Sequence, residues 1–129
     1  MRKILIVDDD NSKRKTLLTY LGDAKVKANI LEASDGLEGL SVYNSNTDLR
    51  EIVTDLDMPR MNGYDFIKKL REEGYTGKIL VNSASSSRNI REAIILGATN
   101  SVPDTYSYKT IISFLEDYFC EGGDPKTLK

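Results

Sequence analysis

The chain has 129 residues, which at ~100–200 residues per domain makes one domain and excludes a second catalytic domain. Its 18 basic and 20 acidic residues give a formal net charge of −2, so the electrostatic footprint of a nucleic-acid-binding protein is absent. The sequence contains no histidine and one cysteine, Cys120, which excludes imidazole catalysis, histidine-ligated zinc and an intrachain disulfide.

The first apolar run, Ile4–Val7, is four residues long and ends at three aspartates. We therefore interpret it as part of a buried strand rather than as an export signal. No apolar run approaches the length that spans a bilayer. Together with the lone cysteine, these features predict a soluble, cytoplasmic protein with no membrane partner.

Five short runs have the pattern of strands in a parallel sheet. In chain order they are Lys3–Val7, Lys27–Ala33, Glu51–Thr54, Lys78–Asn82 and Ala98–Val102. The fifth run is polar and is followed by Pro103. Both features favour a position at the edge of the sheet.

A segment with apolar residues at helical spacing follows each strand. The side chains expected to face the core are Leu17, Leu18 and Leu21, then Leu37, Leu40 and Tyr43, then Phe66, Ile67 and Leu70, then Ile90, Ala93 and Ile94, and finally Ile111, Ile112, Leu115, Tyr118 and Phe119. Asn11 or Ser12 is expected to cap the first helix, and Asn89 with Glu92 forms a capping signal for the fourth.

Five strands alternating with five helices predict a doubly wound α/β domain, flavodoxin-like in class. Gly122-Gly123 and Pro125 stop the last helix. The domain is therefore expected to cover residues 1–121, and residues 122–129 to form a short polar tail or linker stub.

Acidic residues follow several of the strands. They are Asp8, Asp9 and Asp10 after the first strand, Asp55 and Asp57 after the third, and Asp104 after the fifth. Ligands of an open parallel sheet bind at the carboxyl ends of its strands, and clustered carboxylates stay ionised only where a cation joins them. We interpret Asp8, Asp9 and Asp55 as a Mg²⁺ site beside a phosphoryl group, and Asp10 as a solvated residue or helix cap.

Three motifs resemble the receiver domain of two-component response regulators, of the chemotaxis-regulator kind. They are Ile4-Leu5-Ile6-Val7-Asp8-Asp9-Asp10, Ala33-x-Asp35-Gly36-x-Glu38 and Asp55-Leu56-Asp57-Met58-Pro59-x-Met61-Asn62-Gly63, with Ser83-Ala84 and Gly97-Ala98 as further matches. The resemblance covers about residues 2–120. It implies the strand order 2-1-3-4-5.

The resemblance also implies roles for individual residues. Asp55 would accept a phosphoryl group from a partner histidine kinase, a phosphotransfer protein or a small phosphodonor. Asp8 and Asp9 would hold Mg²⁺, Asp57 would give the metal its backbone carbonyl, and Ser83 would hydrogen-bond a phosphoryl oxygen. A downstream protein would bind the face formed by the fourth helix, the fifth strand and the last helix.

The sequence departs from the family pattern after the fifth strand. Without a gap, the family's lysine falls on Asp104 and its aromatic switch residue on Ser101. A register shift that uses Pro103 places Val102 at the lysine position. Lys109 is interpreted as a surface lysine. We therefore expect an atypical receiver with weaker phosphoryl stabilisation.

Two alternatives to a phosphorylated receiver stay open. One is an adaptor that keeps the receiver fold and acts without phosphorylation. The other is an enzyme, because Asp55-x-Asp57 is also similar to the start of a haloacid-dehalogenase-type phosphatase motif. The mid-chain position, the following Met58-Pro59 and the lack of a lid domain favour a signalling module rather than an enzyme.

Overall fold

The computed structural model describes residues 2–83, 87–103, 111–113 and 115. Its elements in chain order are β1 (Lys3–Val7), α1 (Asn11–Asp23), β2 (Asn29–Ala33), α2 (Gly36–Ser45), β3 (Leu49–Thr54), α3 (Gly63–Glu72), β4 (Lys78–Ser83), α4 (Ser87–Leu96) and β5 (Asn100–Pro103). Residues 111–113 and 115 are helical and belong to the predicted fifth helix. Asp104, Lys109, Cys120 and the predicted tail lie outside the described residues.

All five strands pair in parallel, in the order β2-β1-β3-β4-β5. Val7 at the end of β1 is aligned with Ala33 on one side and with Thr54 on the other. The carboxyl ends of the three strands therefore lie at one level of the sheet. This arrangement confirms the predicted fold class and the strand order that the resemblance implied, with β5 at an edge.

The sheet separates two apolar clusters. One cluster packs α2, α3 and α4 against one face and includes Leu40, Phe66, Ile67 and Ala93. The other joins α1 to residues 111 and 115 on the opposite face, through Leu17, Leu21, Ile111 and Leu115. β1 and β4 carry the apolar runs Ile4–Val7 and Ile79–Val81 because both faces of the sheet are buried there.

Several predicted boundaries were wrong by one or more residues. β2 begins at Asn29 rather than Lys27, β3 begins at Leu49 rather than Glu51, β4 extends to Ser83, and β5 covers Asn100–Pro103 rather than Ala98–Val102. The predicted starts of β2 and β5 precede the first residue of each strand, and at β5 the Ala98 N–H still donates to the Ala93 carbonyl of α4. Ala98 is 7% exposed and lies outside the strand.

The predicted helix starts were also wrong at two places. Asp10 caps α1 in place of Asn11 or Ser12, and its side chain accepts hydrogen bonds from the N–H groups of Ser12 and Lys13. α4 begins at Ser87, so Asn89 lies inside the helix instead of capping it. A capping residue must precede the first helical residue, and both errors come from placing that residue too late.

Among the described residues, two that were predicted to face the core point to solvent, while Tyr118 and Phe119 lie outside the described part of the chain. Leu37 is 45% exposed and Ile94 is 41% exposed. Each lies beside the buried stripe of its helix, which Leu40 marks in α2 and Ala93 in α4. Within the described part of the chain, no helix has the length and apolar character needed to cross a membrane.

Candidate functional site

The ends of β1 and β3 bring three carboxylates together. Carboxylate oxygens of Asp8, Asp9 and Asp55 all lie within 4.8 Å of one another. The backbone holds them there, because the Asp55 N–H donates to the Val7 carbonyl at 3.0 Å. Asp8 is buried, Asp55 is half-buried and Asp9 is exposed. The three side chains predicted to bind the metal therefore form one cluster, which we call the acid cluster.

Asp8 reports the electrostatic state of the acid cluster. The pKa of Asp8 is raised to about 6: burial is the largest cause, and the charges of Asp55 and Asp9 act in the same direction. The Asp10 N–H, which donates to Asp8 Oδ1 at 2.9 Å, and the charge of Lys13 act in the opposite direction. The cluster is short of positive charge, which is the condition that a bound cation relieves.

A close backbone contact shapes the loop after β3. The Leu56 N–H donates to Asp55 Oδ1 at 2.7 Å and orients the carboxylate. The Gly63 N–H donates to the Leu56 carbonyl at 2.8 Å. A Cβ at Gly63 would lie 2.3 Å from the Asp55 carbonyl oxygen and 2.7 Å from Leu56 Cα. The start of α3 therefore presses against the Asp55 backbone at a distance that only glycine permits.

An acidic residue outside the acid cluster, Asp35, links the start of α2 to the same loop. Asp35 caps α2 by accepting from the Glu38 N–H, and Arg60 donates to its Oδ2 at 2.8 Å. Burial alone would raise the pKa of Asp35, but the Glu38 hydrogen bond and the Arg60 guanidinium together lower it. Asp35 is an ionised structural group rather than a member of the acid cluster.

Two side chains beside the acid cluster were missed by the sequence analysis. Lys13 Nζ lies 3.5 Å from Asp8 Oδ2. Lys13 and Asn82 both line a small cavity of about 10 Å³ that Asp8 and Asp55 also border, which is about the space of one water. Asn82 is 5% exposed, and its Oδ1 has no hydrogen-bond partner among the described residues.

A sequence signal for Lys13 existed. The first turn of a helix disfavours a positive charge because the helix dipole already presents positive charge there. Lys13 lies in the first turn of α1, soon after three aspartates. A cation in this position indicates acidic neighbours that offset the dipole.

The remaining predicted residues are placed less completely. Asp57 follows Asp55 with an exposed side chain, and its metal contact through the backbone carbonyl stays a prediction. Ser83 ends β4 and is paired with Pro103, but its side chain is outside the described part of the structure. Asp10 caps α1, which is one of the two roles that the sequence predicted for it.

Comparison with known proteins gives a consistent family. A family model described as the response regulator receiver domain matches residues 4–115. A chemotaxis protein CheY homolog of Campylobacter jejuni is 32% identical over 126 residues, which is 93% of this chain and 94% of that protein. The structure of the chemotaxis response regulator CheY4 of Vibrio cholerae aligns with a TM-score of 0.79 and 28% identity, covering 90% of this chain and 97% of that one. The receiver domain of a Francisella response regulator aligns with a TM-score of 0.81 and 26% identity, covering 90% and 94% of the two chains.

Proposed function

This chain belongs to the response regulator receiver domain family, and from that membership we propose that it is a cytoplasmic signalling receiver phosphorylated on Asp55. The phosphoryl donor in this proposal is a partner histidine kinase, a phosphotransfer protein or a small phosphodonor. One observation carries the proposal: Asp55 lies beside Asp8 and Asp9 with carboxylate oxygens within 4.8 Å. This grouping supports a phosphoacceptor next to a cation site.

The acid cluster suits Mg²⁺ as the bound cation. The donor atoms are carboxylate oxygens, which hard divalent cations prefer. We assign the side chains of Asp8, Asp9 and Asp55 and the backbone carbonyl of Asp57 to the metal, with water as the other ligands. When bound, Mg²⁺ offsets the charge of the carboxylates and the phosphoryl oxygens.

Transfer to Asp55 is a displacement at phosphorus. A carboxylate oxygen of Asp55 forms a bond to phosphorus while the bond from phosphorus to the donor imidazole nitrogen breaks. The bonding electron pair goes to that nitrogen, which takes up a proton. The Leu56 N–H holds the carboxylate in a fixed orientation through Oδ1, and the Ser83 hydroxyl would donate to a phosphoryl oxygen.

The signal would leave through a protein partner. We propose that this partner binds the face formed by α4, β5 and the last helix. Nucleic acid is not a proposed partner, because the chain carries a formal net charge of −2.

A receiver-fold adaptor that acts without phosphorylation is the second candidate function. The observation that favours it is Asp104 at the place of the family's lysine, since phosphoryl transfer relies on cations around the phosphoryl group. A haloacid-dehalogenase-type phosphatase is the third. It predicts turnover of a phosphate ester, which a receiver does not perform.

Intact-mass measurement after incubation with Mg²⁺ and acetyl phosphate or phosphoramidate tests the proposal. Wild-type protein should gain one phosphoryl group that hydroxylamine removes, and Asp55→Asn should gain none. Asp65→Asn, an exposed change in the first turn of α3, is the matched control and should behave as wild type. A modification that persists in Asp55→Asn contradicts the proposal, and no modification of wild type with either donor favours the adaptor.

A further inference from the structure

We propose that Lys13 supplies the positive charge at the acid cluster that receiver domains otherwise take from a lysine after the fifth strand. This inference rests on the proposed phosphorylation of Asp55. Lys13 would pair with Asp8 before a cation binds and would contact the phosphoryl group once Asp55 carries it. In this proposal the positive charge comes from a residue of α1, whereas the family's lysine follows β5.

The position of Lys13 follows from the helix start. The Asp10 side chain caps α1 and accepts from the Lys13 N–H at 3.2 Å, which fixes the first turn directly beyond β1. From there Lys13 Nζ reaches to 3.5 Å from Asp8 Oδ2. The Lys13 side chain is 26% exposed and that of Asp8 is 7% exposed, so the pair is partly shielded from water and from screening by salt.

The basic residue next to Lys13, Arg14, is directed elsewhere. Arg14 Nε donates to Glu32 Oε1 at 3.0 Å, at the neighbouring strand β2. Its remaining nitrogens donate to the Asp8 backbone carbonyl and to Asn11 Oδ1. Arg14 therefore holds the backbone around the acid cluster, while Lys13 is the cation at the Asp8 carboxylate.

The cavity next to the acid cluster gives Lys13 access to Asp55. Lys13, Asp8, Asp55 and Asn82 border this one space. Asn82 Oδ1 is buried there without a partner among the described residues, which makes it an acceptor that an ammonium group or a water can satisfy. A lysine side chain has rotatable single bonds along its length and can exchange one oxygen partner for another within such a space.

The β5 register explains why the chain needs this cation. Ser83 is paired with Pro103, the last residue of β5, and the next residue in sequence is Asp104. The family's lysine position is therefore an acidic residue in the ungapped alignment. In that alignment an acid replaces the family's base, so the positive charge at the acid cluster would have to come from another element.

Lys13→Gln tests this role, with Lys15→Gln as the matched control. Lys15 is exposed on the same helix, so its substitution changes net charge equally without touching the acid cluster. Mg²⁺ affinity is measured by titration, and phosphorylation of Asp55 by intact mass over time with acetyl phosphate. Lys13→Arg is the conservative variant.

In Lys13→Gln we expect Mg²⁺ to bind about threefold to tenfold more tightly, because a competing cation has left Asp8. Phosphorylation should become about tenfold slower, because a charge that stabilises the transferring group is lost. Lys13→Arg should restore both values to within about threefold of wild type, and Lys15→Gln should change neither.

Equal behaviour of Lys13→Gln and Lys15→Gln overturns the inference, as does weaker Mg²⁺ binding by Lys13→Gln. The proposed function stands in either case if wild type is still modified on Asp55. If wild type is not modified at all, the proposed function fails. The Mg²⁺ titration alone then decides whether Lys13 pairs with Asp8, and the proposed contact between Lys13 and a phosphoryl group is rejected.

Discussion

Arg60 Nε donates to Asp35 Oδ2 at 2.8 Å, and Arg60 Nη2 forms an ion pair with the same oxygen at 2.8 Å. Arg60 has a φ of 65°, a left-handed conformation that a non-glycine residue adopts only under local constraint. In the same loop, the Met61 carbonyl accepts from the Gly36 N–H at 3.2 Å. The loop after β3, which carries Asp55 at its start, is thus fastened to the beginning of α2.

Arg60→Gln should lower the free energy of unfolding at pH 7 by about 1–2 kcal/mol, since it removes a charged hydrogen bond and an ion pair to a buried carboxylate. The folded-state pKa of Asp35 is lowered, so its stabilisation is present above its unfolded pKa of about 3.9 and is lost as pH falls through the folded value. The difference between wild type and Arg60→Gln should therefore shrink below about pH 4. Urea unfolding at pH 7 and at successively lower pH measures it.

Lys68→Gln is the control for Arg60→Gln, because Lys68 is exposed on α3 and has no part in this loop. It should change stability by less than about 0.5 kcal/mol at either pH. A stability loss in Arg60→Gln that stays constant down to about pH 2 contradicts an ionised Asp35 as the partner.

Gly63→Ala should destabilise the fold by about 2 kcal/mol or more, because its methyl group would overlap the Asp55 carbonyl and Leu56 Cα. Gly22→Ala is the matched control. A Cβ at Gly22, inside α1, meets nothing within 4 Å, and alanine is the better helix former by about 0.5–1 kcal/mol. The two substitutions should shift the urea midpoint in opposite directions, and a stabilising Gly63→Ala would contradict the close contact.

The sequence predicted the parts of this molecule that depend on short-range pattern. Buried strands appear as apolar runs, and the acidic residues that follow β1 and β3 meet because parallel strands end at the same level of the sheet. Alternation of strands and helices is compatible with several strand orders, so the pattern alone does not make β1 the neighbour of both β2 and β3. The resemblance to receiver domains supplied that order.

The errors have physical causes too. Leu37 and Ile94 follow the same helical spacing as the buried residues of their helices. They are exposed because that spacing does not show how much of each helix surface the neighbouring elements cover. Lys13 and Asn82 were missed because their importance depends on distances across elements. A lysine in the first turn of α1 indicates acidic neighbours, but it does not show which carboxylate Lys13 Nζ approaches to 3.5 Å.

Asp8→Asn should raise the free energy of unfolding in EDTA by about 1–2 kcal/mol at pH 8. The folded-state pKa of Asp8 is raised to about 6, so any stabilisation from the protonated carboxyl is lost above that pH and the charged form destabilises the fold. Removing the charge relieves this repulsion. In millimolar Mg²⁺ the order should reverse, with wild type gaining stability and Asp8→Asn gaining little.

Asp57→Asn is the control for the Mg²⁺ response. The side chain of Asp57 is exposed, and the proposed metal contact uses its backbone carbonyl, which the substitution keeps. Thermal unfolding with and without Mg²⁺ should therefore show a wild-type increase in this variant. An Asp8→Asn protein that retains the full increase would remove Asp8 from the metal site.

Phosphorylation should change the β4 and β5 side of the domain only slightly. Ser101 stands where the family has its aromatic switch residue, and it lies in edge strand β5, half-exposed and paired with Val81. A serine is too small to exchange between two packed positions, so the two-state element that a population shift requires is reduced. Partner binding should then change by less than about tenfold on phosphorylation, on the order of 1.4 kcal/mol. Amide exchange across residues 83–112, with and without beryllofluoride, measures the response.

Asp104→Lys should raise only the phosphorylation yield, and adding Ser101→Tyr should also enlarge the exchange response. Strong and widespread protection changes in the unmodified sequence would show that the relay operates without these residues.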